Sequence, residues 1–160
     1  MRRRRNSGPV SRITEDSYAI NLDEDERRAL SGLFDQLSTV LQPNDDDPRT
    51  KRLYPAAYHQ DPEHDEEYQG YMRPELHSAR VTALQIAKEA LETGAPLTEG
   101  QVHAFMTVLN SLRLVLGTML DVQEDHEATP DPDEPGYEQW QIYTYLGWLL
   151  EWTVEALAGG

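Results

Sequence analysis

The sequence predicts a mainly α protein, a compact bundle of about five helices with a small N-terminal β-hairpin. Three observations carry that expectation. Apolar residues recur at threes and fours through most of the chain, the period of an amphipathic helix. Helix-start signals precede several of these stretches. Alternation at period two is confined to two short segments near the start. With 160 residues, 38% of them hydrophobic and 27% charged, the chain can bury one substantial core. Residues 10–158 are expected to form a single helical domain, preceded by a flexible basic arm at 1–9 and interrupted by an acidic loop at 121–136.

Val10–Ile13 and Tyr18–Leu22 alternate apolar and polar residues around Thr14-Glu15-Asp16-Ser17, as a short hairpin would. Two strands alone are marginal, so this hairpin must lean on something larger. Asp23, with Glu26 three residues on, reads as an N-cap of capping-box type opening a first helix. Its core face is Leu30, Leu33, Phe34, Leu37 and Leu41. Residues 42–51 read as a solvated loop, and Arg52–Tyr58 as an extended clip held out of helix by Pro55. Asp61-Pro62-Glu63 starts another helix, with Asp as cap and Pro in the first turn. Pro74 is expected to kink or restart it. A longer helix then buries Leu76, Ala79, Val81, Ala83, Leu84, Ala87 and Leu91 and ends at Gly94. Thr98 and Gln101 form a capping box for the central helix, whose face is Val102, Phe105, Met106, Leu109, Leu112, Leu116, Met119 and Leu120.

That central helix carries an odd polar pair, Asn110 and Arg113, neighbours at i and i+3. Unpaired burial of such groups is costly, so we read them as a structural pair. Arg113 is expected to reach backbone carbonyls or a carboxylate, with the clip around Tyr54–Tyr58 as its target. The final helix, Tyr137–Leu157, is apolar nearly all round. Such a helix is either deeply buried or shared with another chain. Both readings stand, and Trp140, Trp148 and Trp152 mark the surface a homodimer would use.

The net charge of −15 hides an asymmetry. Arg2, Arg3, Arg4, Arg5 and Arg12 lie within the first twelve residues, which hold no acid; the other nine basic residues against 29 acids leave the remainder at −20. An acidic body repels nucleic acid. Any contact with DNA is therefore expected through Arg2–Arg5 and Arg12, which alternatively bind an acidic protein surface or nothing. No run of eighteen apolar residues and no signal-peptide h-region is present, so the expectation is a cytoplasmic protein with no membrane span. The absence of cysteine excludes disulfides, thiolate metal sites and thiol switches within these residues.

The most ligand-rich run is His59-Gln60-Asp61-Pro62-Glu63-His64-Asp65-Glu66-Glu67. His59 with Glu63, and His64 with Glu67, share helix faces as a carboxylate–imidazole metal site would. Acids gathered at a helix N-terminus explain the run better, and no converging second element supplies further ligands. Asp121, Glu124, Asp125, Asp131, Asp133 and Glu134 lack the EF-hand register; Ile142 falls where its closing glutamate belongs. His77, His103 and His126 stand in no catalytic setting, and neither a serine elbow nor a phosphate-cradling glycine loop is found. No catalytic residue, metal or cofactor is expected, and the protein reads as a non-enzyme.

Three stretches carry a family resemblance. They are Leu53-Tyr54-Pro55-Ala56-Ala57-Tyr58 followed by Asp61-Pro62-Glu63, then Leu109–Thr118 (LNSLRLVLGT), then Tyr143–Leu149 (YTYLGWL). Together they resemble an actinobacterial domain-of-unknown-function family (numbered two thousand and seventeen) that is oxidative-stress-regulator-like and often encoded beside the ClpS protease adaptor. The resemblance implies a small, helical, dimer-forming regulator acting on transcription with DNA or a sigma factor. An adaptor of the ClpS–Clp proteolysis system is the alternative it implies; a metal-dependent hydrolase using His59, Glu63 and His64 is a third reading. A cysteine pair on which the family's redox reading rests is missing here. Ser111 and Met119 stand where the family pattern has Asp and Arg.

Overall fold

The computed structural model of the chain describes residues 8–41, 53, 60–120 and 131–159. The expected clip at Tyr54–Tyr58, His59 and the part of the acidic loop at 121–130 lie outside them. The mainly α architecture with an N-terminal hairpin is as the sequence predicts. Strands β1 (Val10–Thr14) and β2 (Ser17–Ile20) pair antiparallel, Val10 opposite Ile20 and Arg12 opposite Tyr18, with a register shift between Arg12 and Thr14. Val10, Tyr18 and Ile20 are buried. The hairpin's support is partly backbone: Tyr18 N–H donates to Leu97 O at 2.9 Å, and Leu97 N–H returns to Tyr18 O at 2.8 Å. A single residue of the connection between two helices thus acts as a third strand.

Helix α1 (Glu24–Val40) starts where Asp23 accepts from Glu26 N–H at 2.7 Å. Glu26 does not complete the box; its carboxylate instead accepts from the hydroxyl of Tyr145 at 3.1 Å. Leu30, Phe34, Leu37 and Leu41 are buried as their spacing predicts. Helix α2 (Pro62–Thr93) is a single 32-residue helix capped by Asp61, and Gly94 adopts the left-handed conformation at φ 65° just past its end. Pro74 lies inside it rather than dividing it. Pro74 and Gly70 are both exposed, so water can satisfy the carbonyl that loses its donor.

Helix α3 (Glu99–Met119) opens on the predicted capping box, with both Thr98 and Gln101 bonds formed. It lies between α2 and the last helix, α4 (Tyr137–Leu157), and buries Val102, Ala104, Phe105, Val108, Leu109, Ser111, Leu112, Val115 and Gly117. Each large apolar side chain so buried contributes about 1.5–3 kcal/mol. Phe105 meets Phe34 of α1 edge-on at 6.1 Å between ring centroids. Among the described residues α3 is the one helix long and apolar enough to cross a membrane, and more than half of that apolar window is buried inside the fold.

Candidate functional site

Helix α4 settles which of its apolar residues are core. Leu146, Leu149, Thr153 and Ala156 face inward at threes and fours; Trp148 and Val154 are exposed at 45% and 49%. The three tryptophans divide accordingly. Trp140 stacks on Tyr137 with ring centroids 6.0 Å apart. Trp152 is half-buried against Gly8, where an added Cβ would fall 2.4 Å from the indole. Trp148, tilted against Tyr145, is the most open. Of the three tryptophans named for a homodimer surface, Trp148 is exposed and Trp140 and Trp152 are half-buried.

Beside this face runs a groove of about 630 Å³ between α3 and α4, lined by Arg113, Gly147, Leu150, Glu151, Trp152, Val154 and Glu155. Its floor depends on a close approach of the two helices. A Cβ on Gly147 would lie 3.3 Å from Arg113 Nε, so glycine there leaves the guanidinium its place. The Arg113 Cζ sits 4.7 Å from the centroid of the Tyr143 ring, a cation–π contact. Its Nε is buried and makes no hydrogen bond among the described residues. Among the described residues Arg113 bonds no carbonyl or carboxylate, contrary to expectation, and its partner is an aromatic face of α4; the expected target at Tyr54–Tyr58 lies outside them. Asn110 is exposed and forms no pair with it. Leu53 is held by Arg80 of α2, which donates to Leu53 O at 3.2 Å and to Ser111 Oγ at 2.7 Å.

The other basic side chains of the described body are similarly engaged. Arg12, expected as part of the arm, belongs to β1. Its Nε and Nη2 donate to Ala156 O at 3.2 Å and Leu157 O at 3.1 Å in the last turn of α4, where Ala156 O also accepts from Gly159 N–H at 3.2 Å. The same guanidinium lies 5.0 Å from the Tyr18 ring centroid. Arg27 donates to Leu22 O, Ile20 O and Leu91 O, joining β2, α1 and the last turn of α2. Lys88 pairs with Asp35 at 2.5 Å, which raises its pKa, and Arg28 pairs with Glu24 and Asp25. Arg73 is engaged as well. Arg2, Arg3, Arg4 and Arg5 lie outside the described residues.

In the described part of the ligand-rich run, which leaves out His59, Asp61 caps α2. Asp61 accepts from His64 N–H at 3.2 Å and also meets the His64 ring, and these contacts hold its carboxyl below the usual range. Glu63 is exposed, and no group of three His, Asp or Glu residues among those described is placed to hold a metal ion. Tyr145 is the most perturbed group described: burial, then its bond to Glu26, push its hydroxyl pKa well up. A tyrosine held protonated by a carboxylate acceptor ties α1 to α4.

The described residues thus form a helical fold with an N-terminal hairpin, arginines committed to carbonyls and rings, and an open groove between α3 and α4. The chain belongs to the family described as Domain of unknown function (DUF2017), whose model matches residues 3–157. It is also 30% identical over 129 residues to the oxidative stress regulator AosR of Mycobacterium tuberculosis (strain ATCC 25618 / H37Rv) and to that of Mycobacterium bovis. Those alignments cover 71% of this chain and 59% of each relative, so the chain spans about three fifths of the relatives it matches. No solved structure matches the chain.

Proposed function

We propose that the protein is a non-enzymatic, transcription-associated regulator that meets nucleic acid through Arg2–Arg5. The observation that carries this reading is the use of positive charge within the fold. Every described arginine and lysine is committed to a carbonyl, a carboxylate, a hydroxyl or a ring, or is otherwise engaged. The unassigned cations fall in two short runs of sequence, Arg2–Arg5 and Arg49-Thr50-Lys51-Arg52. The mycobacterial relatives carry the name of an oxidative stress regulator, which supports a regulatory role at the level of the family. Within these 160 residues that role does not run through a thiol, because there is no cysteine. A cytoplasmic location accompanies this reading.

Fluorescence anisotropy with a labelled duplex, titrated at several salt concentrations, tests it. Four phosphate contacts give a slope of log K against log salt of about −3 to −4. Deleting residues 2–5 is expected to remove that slope and most of the affinity. A full-length chain that does not bind duplex at low salt, or a deletion that binds equally, would refute the role of these arginines.

A further inference from the structure

The groove on α4 has one occupant favoured by chemistry and by chain connectivity. We propose that the segment carrying Arg2–Arg5 docks there, in the same molecule, with its guanidinium groups over Glu151 and Glu155 and against Trp148. This goes beyond the nucleic-acid reading and does not depend on it. Connectivity comes first. The described chain begins with Gly8 packed on Trp152, and Trp152 is a wall of the groove. From Gly8 back to Arg5 is three residues, about 10 Å when extended, and Arg5 to Arg2 spans about 10 Å more. From Glu155 to Gly147 along α4 is eight residues, about 12 Å. The segment reaches the whole groove without displacing β1.

Charge comes second. Glu151 and Glu155 are exposed, one turn apart on α4, and neither forms an ion pair with a described residue. Like charges at i and i+4 destabilise a helix unless a cation lies between them. Among the described residues Arg113 is the only cation lining the groove, and it faces the Tyr143 ring, leaving one positive charge against two negative. Exposed Trp148 offers a ring face of the kind arginine stacks on. A second copy of the chain fits the same face less well. A two-fold interface centred on this face would gather four glutamates, Glu151 and Glu155 from each copy, with one Arg113 from each to offset them.

Limited trypsinolysis of the full chain without nucleic acid reads the docking directly, because Arg2–Arg5 are themselves the cleavage sites. Intact mass follows the loss of the segment at about 0.05 M salt. The Glu151→Lys/Glu155→Lys variant is expected to lose it about three- to ten-fold faster than the unaltered chain, the range conferred by two exposed ion pairs. Both glutamates are exposed, so the variant retains the fold, which circular dichroism checks. Glu134→Lys/Glu138→Lys makes the same change in net charge beyond the other end of the groove and should cleave like the unaltered chain. At about 0.5 M salt the three should converge. Equal rates at low salt would overturn the proposal. So would protection that grows with protein concentration, which would mean that the segment sits on a second copy. Because no DNA is present, the outcome is independent of the anisotropy experiment.

Discussion

Arg12 shows how much a single side chain can hold in this protein. Two of its three donating nitrogens meet the last carbonyls of α4, the third meets Glu15 O, and its charge sits at the negative end of that helix dipole. Arg12→Ala should cost about 2–3 kcal/mol in urea unfolding, since charge-assisted bonds and the dipole term are lost together. Arg12→Lys should recover roughly half, keeping the charge but not the fork. Tyr145 makes a second prediction, in pH. Its pKa is raised in the folded state, so the folded protein holds this proton more tightly than the unfolded chain does. Stability from this group is complete below the ordinary tyrosine value of about 10 and falls as pH rises beyond it. Tyr145→Phe should weaken the protein near neutral pH by about 1 kcal/mol and flatten the alkaline decline, both visible in denaturation at pH 7 and above pH 10. The sequence gives partial warning of such residues. Arg27, Arg80 and Arg113 each fall in phase with an apolar helix stripe, as with Arg80, Ala83, Leu84 and Ala87. That phase marks an arginine that must find partners. Which partner it finds depends on neighbours brought in by tertiary packing, and periodicity holds no record of them.

Among the elements, the seam between α3 and α4 is the most sensitive to volume. Gly147→Ala places a Cβ 3.3 Å from Arg113 Nε, a few tenths of an ångström too close. The gain in helix propensity, about 0.8–1 kcal/mol, should nearly offset that crowding. Gly147→Val adds branching at the same place and should destabilise by about 1–3 kcal/mol as Arg113 is forced off Tyr143. Thermal melts of the two variants separate these outcomes. Much of the element map is legible in the sequence: the hairpin, the Asp23, Asp61 and Thr98 starts, and the Gly94 stop all rest on local chemistry. Continuity through Pro74 is not legible, because a proline's cost depends on whether the released carbonyl faces water. The groove could not be read either. It exists because Gly147 of one helix meets Arg113 of another, and neither residue carries that meeting in its own surroundings.

The whole molecule carries −15 over a core of ordinary apolar packing. The described ion pairs that involve Arg28 and Lys88 are few and mostly exposed, so they contribute little. Self-repulsion of the acidic body is the larger electrostatic effect on stability. Raising salt from about 0.02 to about 0.5 M should therefore increase the melting temperature by a few degrees; a decrease would show that ion pairs dominate instead. At this scale charge asymmetry was readable from composition. That the body's cations are consumed by the fold was not, since carbonyl acceptors have no sequence signature. The clasp of Arg12 on Ala156 and Leu157 has one more consequence, for how the chain is made. Its partners are separated by 144 and 145 positions. At translation speeds of about 5–20 residues per second, β1 waits roughly seven to thirty seconds for the carbonyls that secure it. The hairpin is therefore synthesised well before the end of α4 that secures it, and until then its apolar face is open to chaperones or to neighbouring nascent chains.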